Sequence, residues 1–180
     1  MGALTRIFFA FCTLTLVASS ARAQNVGVQG SAGATLVDAG YSFAAAVTVA
    51  PSDLVSMAFG YDHTHIDSRT SSSNGSFSSF RGGTLYLGSA EVRVTPFRRH
   101  RPGPYGLAGL TAGWSRPNVN AQFPERITNE VRAFFLGGGV QVPLSERGSV
   151  FADARMILGA EGRNGMVAVA PVRFGLSWTF

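Results

Sequence analysis

The end of the sequence alternates strictly between apolar side chains and small or polar ones. One face of residues 172–180 carries Phe174, Leu176, Trp178 and Phe180. The other carries Arg173, Gly175, Ser177 and Thr179. Because successive side chains of a β-strand point to opposite faces, this pattern predicts a strand with one wholly apolar, aromatic face. That face has to be covered by lipid or by a protein core.

The first residues have the composition of an export signal. Arg6 is followed by an apolar stretch over residues 7–18 and by Ala21-Arg22-Ala23, a small-x-small cleavage pattern. We therefore expect residues 1–23 to be removed, so that the mature domain covers residues 24–180. The alternative is an amino-terminal membrane anchor, but the apolar stretch is shorter than the roughly 20 residues that a spanning helix needs.

Cysteine usage and charge exclude several kinds of site. Cys12 is the single cysteine and lies within the expected signal, so the mature chain is predicted to have no disulfide and no thiolate metal site. The formal net charge is +5, and the 15 positive side chains are all arginine. They are scattered rather than interleaved with aromatic residues, which predicts ordinary surface charge and no nucleic-acid partner.

Alternation of period two recurs along the mature chain. Eight segments show it, at residues 26–37, 41–50, 54–66, 82–96, 105–115, 128–142 and 149–161 and in the final segment after 162–165. Transmembrane strands take about 9 to 11 residues, and an even number allows antiparallel closure. The sequence thus predicts an all-β protein, an eight-stranded antiparallel up-and-down transmembrane β-barrel.

Three places depart from the regular strand pattern. Pro171 predicts a bulge or a local break in the last strand, because proline cannot donate to a ladder. Gly137-Gly138-Gly139 weakens the sixth strand, although it could make room for a large neighbour in a narrow lumen. Pro102-Gly103-Pro104 is expected to break the chain before the fifth strand begins.

Connection lengths predict which end of the barrel faces the cell exterior. Short turns at Pro51, 97–103 and 144–148 are expected on the periplasmic side, and longer loops at 67–81 and 116–127 on the outside. The serine-rich part of the first loop, residues 71–79, is interpreted as a mobile surface loop.

The final strand with its terminal phenylalanine resembles the insertion signal of small outer-membrane β-barrel proteins of the OmpA/OmpX type. Phe174, Leu176, Trp178 and Phe180 correspond to that signal. The resemblance implies residence in the outer membrane of a Gram-negative cell envelope, insertion by the barrel assembly machinery, a monomer and no cofactor. It implies a structural or surface-interaction role, with a narrow porin-like channel as the alternative. A soluble lipocalin-like barrel is the structural alternative, with its apolar face inside.

If the apolar faces of the strands point outward, six charged side chains on the opposite faces point into the lumen. They are Asp62, Glu91, Arg93, Asp153, Arg155 and Arg173. An eight-stranded barrel is only wide enough for side chains to fill, and charges buried there need partners. We therefore expect an ionic plug in the lower half of the barrel, whereas a selectivity constriction for small solutes is the alternative.

Two histidines raise the question of catalysis. His63 and His65 lie near Asp67 and Ser68, and a base, an acid and a nucleophile are what acyl transfer needs. Lipid A deacylases with eight-stranded barrels carry His-x-Ser on a strand, whereas residues 63–65 are His-Thr-His. We expect two interfacial histidines and no catalytic residue.

Arginines in the external connections are candidates for lipid contacts. Their planar guanidinium groups can bind the phosphates of lipopolysaccharide with two hydrogen bonds. The candidates are Arg69, Arg81, Arg116, Arg126 and Arg163.

Overall fold

The computed structural model describes residues 25–36, 39–73, 76–80, 82–96, 101–119, 127–162 and 165–180. Strands are the only regular elements there, and no helix in those ranges is long and apolar enough to cross a membrane. The strands are β1 (Asn25–Thr35), β2 (Gly40–Ala50), β3 (Val55–Ile66), β4 (Arg69–Ser73), β5 (Ser76–Phe80), β6 (Gly83–Val94), β7 (Gly103–Pro117), β8 (Asn129–Pro143), β9 (Gly148–Glu161), β10 (Gly165–Val169) and β11 (Pro171–Thr179).

Antiparallel pairing in chain order closes these strands into a barrel. β1, β2, β3, β6, β7, β8 and β9 follow one another around the sheet, and β9 pairs with both β10 and β11. β11 then pairs with β1, where Gly27 lies opposite Thr179. Since β10 and β11 together form one barrel strand, the barrel has eight strands, and the predicted fold is confirmed.

The last barrel strand is interrupted at the predicted place. β10 ends at Val169 and β11 begins at Pro171. The register with β9 is the same on both sides, with Val169 opposite Ile157 and Val172 opposite Ala154. The prediction of a local break is therefore confirmed, and the break contains no additional residue.

The fifth barrel strand starts earlier than the prolines suggested. β7 begins at Gly103 and includes Pro104, which lies opposite Val140 of β8. The ladder with β6 starts later, at Gly106 opposite Val94. Pro104 has a neighbouring strand on one side only, so its missing N–H costs no hydrogen bond toward β6. The expected break before residue 105 was wrong.

The serine-rich connection contains regular structure. β4 and β5 form a separate two-stranded sheet with Arg69 opposite Phe80 and Ser73 opposite Ser76. Asn74-Gly75 stands between them in the sequence, and this dipeptide is a strong signal for a two-residue hairpin. The interpretation of residues 71–79 as a surface loop did not include this hairpin, in which the backbone pairs with itself outside the barrel sheet.

A belt of large apolar side chains points away from the lumen. Exposed residues include Phe174 at 66%, Leu176 at 63%, Leu136 at 58% and Val140 at 52%. Such a belt around a closed barrel is suited to acyl chains rather than to water. The lipocalin-like alternative required the opposite orientation and is excluded.

Candidate functional site

The six charged residues singled out from the sequence all lie inside the barrel. They come from four strands, with Asp62 on β3, Glu91 and Arg93 on β6, Asp153 and Arg155 on β9, and Arg173 on β11. Their exposed fractions run from 2% for Arg173 to 9% for Asp62. Charges this deeply buried need neighbours of opposite sign.

One half of this lumen network links two neighbouring arginines through a glutamate. Glu91 Oε1 accepts from Arg93 Nη2 at 3.0 Å, and Glu91 Oε2 lies 2.6 Å from Arg155 Nη1. Arg155 also donates to Asp153, from Nε to Oδ1 at 2.9 Å and from Nη2 to Oδ2 at 3.1 Å. Arg155 is therefore held between two carboxylates, one of them by a two-pronged contact.

The other half continues from Asp153 to the far side of the lumen. Asp153 lies opposite Arg173 in the β9–β11 ladder, and Arg173 Nε is 3.4 Å from Asp153 Oδ1. Arg173 Nη1 pairs with Asp62, which also accepts a hydrogen bond of 2.8 Å from Ser89 Oγ. The six charges thus form one chain of alternating sign, beginning with Arg93 and ending with Asp62.

Aromatic rings lie against two arginines of the network, Arg93 and Arg155. Arg93 Cζ lies 4.3 Å from the ring centroid of Tyr105 and 5.3 Å from that of Phe151. The Tyr105 hydroxyl donates to Asp153 Oδ2 at 3.3 Å. A Cβ on Gly139 would lie 2.8 Å from the Tyr105 ring, so this glycine makes room for the ring in the narrow lumen. Because the Tyr105 and Phe151 rings lie within cation–π distance of Arg93, these contacts add to the stabilisation that the ion pairs give.

A second layer fills the lumen toward the ends of the strands that carry the longer loops. It is a cluster of buried apolar residues from β3, β6, β8 and β10. The members are Ile66, Leu85, Leu87, Val131, Val167 and Val169. This apolar layer was not predicted from the sequence, since a polar lumen was expected. The sequence does contain one sign of it, because Leu85 and Leu87 lie on the same face of their strand as the inward Glu91.

The opposite end of the lumen is open. A cavity of about 130 Å³ lies at the end of the barrel with the short turns 51–54 and 144–147. We call it the vestibule. Its lining is mainly hydroxyl and amide side chains, and Arg93 forms part of it. The lumen therefore has three zones, which are the vestibule, the charged network and the apolar layer.

The histidines belong to an outward row of rings. Tyr41 stacks with His65 at 5.2 Å, and His63 packs edge-on against Tyr86 at 5.2 Å. Tyr86 continues the row to Trp114 at 6.5 Å. Rings of this kind are expected where a barrel meets the membrane interface.

The hydroxyl nearest a histidine is not the one considered from the sequence. His65 Nδ1 lies 3.0 Å from Thr84 Oγ1, and His65 Nε2 lies 3.4 Å from Asp67 Oδ1. Ser68 Oγ instead accepts from Asn118 Nδ2 at 3.1 Å. Thr84 is paired with strands on both sides, so the surrounding N–H groups serve the ladders and are not aimed at an oxyanion. This geometry does not favour acyl transfer.

The structure describes only part of the remaining predicted sites. Arg116 is exposed, with Cζ 5.5 Å from the Tyr86 ring centroid. Arg69 lies on β4, but its side chain is outside the described part. Arg81, Arg126, Arg163 and the expected signal at residues 1–23 also lie outside the described residues. Phe174, Leu176, Trp178 and Phe180 all point outward along the last strand.

Several solved structures of other proteins are similar in fold to this chain. No protein-family model matches the sequence, and the curated proteins contain no significant match. Neisserial surface protein A, NspA, is 14% identical with a TM-score of 0.65, over 87% of this chain and 97% of that one. The N-terminal β-barrel domain of Pseudomonas aeruginosa OprF is 14% identical with a TM-score of 0.59, over 87% of this chain and 97% of that domain.

A third solved structure is also similar to this chain. Ail, the attachment invasion locus protein of Yersinia pestis, is 12% identical with a TM-score of 0.52, over 87% of this chain and 97% of that one. It was solved with the heparin analogue sucrose octasulfate. Taken with the closed sheet and the outward apolar belt, these matches show that this chain has the fold of the small eight-stranded outer-membrane β-barrels.

Proposed function

We propose that this protein is a non-enzymatic barrel of the bacterial outer membrane, with a closed lumen and a structural or surface-interaction role. The observation that carries the proposal is the lumen network of six paired charges. These side chains occupy the middle of a barrel that has little room to spare. The outward apolar belt supports the membrane location.

Two layers of different chemistry support the closed state of the lumen. Ion pairs hold the charged side chains across the barrel, so a solute would have to displace paired groups. Beyond them, the six side chains of the apolar layer narrow the lumen and offer no hydrogen-bond partner of their own, which makes the passage of a hydrated ion costly. A narrow channel would need both layers to rearrange at once.

The external side supplies the proposed contact surface. Arg116 stands beside the outward ring row, and the β4–β5 hairpin extends the surface beyond the barrel sheet. We propose that Arg116, together with Arg69, Arg81, Arg126 and Arg163, contacts lipopolysaccharide phosphates. The protein would act as a monomer, because closure leaves no barrel strand edge to pair with a second copy.

Planar-bilayer recording tests the closed lumen. Mature barrel, reconstituted at a protein level where a sixteen-stranded porin gives clear steps, is expected to show no steps above the protein-free background. The physical reason is that two filled layers lie in series along the lumen. Reproducible unitary steps from protein of verified purity would support the channel alternative instead.

We propose that Phe180 belongs to an assembly signal, and its substitution tests this. Phe180→Ser is expected to lower the amount of folded barrel in the outer membrane severalfold, while leaving unfolding in detergent nearly unchanged. The side chain is 72% exposed and points outward, so it contributes little to packing within the barrel. Quantitative immunoblotting of membrane fractions provides the measurement.

Phe43→Ser is the matched control, since Phe43 is also outward and 52% exposed but lies on β2. It is expected to assemble at close to the normal level. Equal losses for the two variants would show that general apolarity matters and would contradict a special role for Phe180.

A further inference from the structure

The vestibule differs from the rest of the lumen in its polarity and its free space. Its volume of about 130 Å³ is enough for several waters or one small solute, since a water needs roughly 10–15 Å³ by this measure. The lining includes Thr48, Ser56, Gln141, Ser149, Ser177 and Thr179. Side chains of this kind can donate to an anion as well as accept.

Some of these groups are held in place by one another. Ser149 Oγ accepts from Gln141 Nε2 at 2.6 Å and lies 2.6 Å from Ser177 Oγ. The three residues come from β8, β9 and β11, so they tie neighbouring strands together at the vestibule. The Ser149 and Ser177 hydroxyls are therefore ordered before any solute enters.

Arg93 brings a positive charge to the inner end of this cavity. It is the terminal cation of the lumen network, and its Nη2 donates to both Glu91 at 3.0 Å and Gln29 at 3.3 Å. Arg155 and Arg173, by contrast, each contact two carboxylates. A guanidinium group carries five N–H donors, so Arg93 retains donor capacity beside the cavity.

The charges at the mouth of the vestibule are of both signs. Asp53, Glu146 and Arg147 are exposed in the two short turns, where solvent and salt weaken their effect. Arg93, in contrast, is 7% exposed and acts at short range in a partly enclosed space. The charge at the inner end of the cavity therefore decides which solutes are favoured.

We propose that the vestibule is a binding site for a small oxyanion, the phosphate or carboxylate group of a small solute, with Arg93 as its charged anchor. The hydroxyl groups of Thr48 and Thr179 donate to the same anion from the strands around it. The site requires only the folded barrel, and it stands whether or not the lumen conducts.

Nuclear magnetic resonance in zwitterionic detergent tests the site. Inorganic phosphate and, separately, acetate are titrated into ¹⁵N-labelled mature barrel at constant ionic strength set with chloride. We expect saturable shifts at the Arg93 Nε–H signal and at the Ser149 and Ser177 amides for at least one of the two anions. Tighter binding of phosphate identifies a phosphoryl ligand, and tighter binding of acetate a carboxylate ligand.

Three variants make the test specific. Arg93→Gln is expected to weaken binding by about tenfold or more, the effect of losing a hydrogen bond to a charged group. Thr48→Val with Thr179→Val keeps the lumen network and is expected to weaken binding about three- to tenfold. Arg132→Gln removes the same charge from the exposed outer face and is expected to stay within about twofold, since surface charges are screened.

Two binding results would contradict the oxyanion site. Linear, non-saturating shifts for both anions in the wild-type barrel would overturn it. So would equal affinities in the threonine double variant and the wild type, even if Arg93→Gln fails to fold. Steps in planar bilayers bear on the closed lumen alone and leave this test unaffected.

Discussion

Asp153→Asn is expected to destabilise the barrel by about 3–5 kcal/mol, the cost of leaving a buried charge without its partner. The Asp153 side chain is fully buried and contacts both Arg155 and Arg173. Asparagine keeps the shape but removes the charge that compensates the two guanidinium groups. Because natural proteins are stable by only about 5–15 kcal/mol, a loss of this size is a large part of the total.

Reversible urea unfolding of the barrel domain, residues 24–180, in lipid vesicles or detergent provides the measurement, followed by tryptophan fluorescence from Trp114 and Trp178. Glu130→Gln is the matched control. Glu130 also pairs with an arginine, Arg132, at 2.6 Å, but the two side chains are 61% and 75% exposed. Exposed pairs contribute about 0–1 kcal/mol, so the control is expected to remain near the wild-type stability.

A change below about 1 kcal/mol for Asp153→Asn would contradict the account of the lumen network, because it would mean that the arginines find water or other partners. A double-mutant cycle with Arg173→Gln then separates the pair from its surroundings. We expect positive coupling between Asp153 and Arg173, since each single variant leaves the other charge with fewer partners.

Leu136→Arg is expected to destabilise the membrane-inserted barrel by about 2–4 kcal/mol, the cost of an arginine near the bilayer midplane of a barrel. Leu136 lies midway along β8, between Ala108 of β7 and Met156 of β9, and is 58% exposed on the outer face. In water the same substitution on an exposed position would change stability little. The expected loss therefore depends on lipid.

Leu144→Arg is the control for this prediction. Leu144 is 67% exposed and lies in the turn after β8, where an arginine is expected to cost only about 0–1 kcal/mol. Both variants are unfolded from vesicles of the same lipid. Equal stabilities for Leu136→Arg and the wild type would mean that the apolar belt does not face acyl chains.

Particular elements show how far sequence reasoning reached. The six lumen charges were identified from alternation alone, since the period of two decides the face on which each side chain lies. Pro171 correctly marked the break in the last strand, because its missing donor is a local property. The start of β7 was misplaced, since the tolerance for Pro104 depends on where β6 ends.

Other features depend on which strands meet across the lumen. Tyr105 and Phe151 flank Arg93 only because β7, β9 and β6 bring them to similar depth. The apolar layer joins β3, β6, β8 and β10, and no one of these strands shows it by itself. Local alternation carries no information about depth, so this layer could not be distinguished from scattered inward leucines and valines.

The sequence by itself determined the strand number, the closed antiparallel architecture and the outward apolar belt, because each of these follows from short-range periodicity and turn chemistry. Only the tertiary structure decided the partners of the charges, the order of the lumen zones and the position of the vestibule. The physical reason is that the stagger of the strands sets which inward residues share a level, and stagger is a property of the closed sheet.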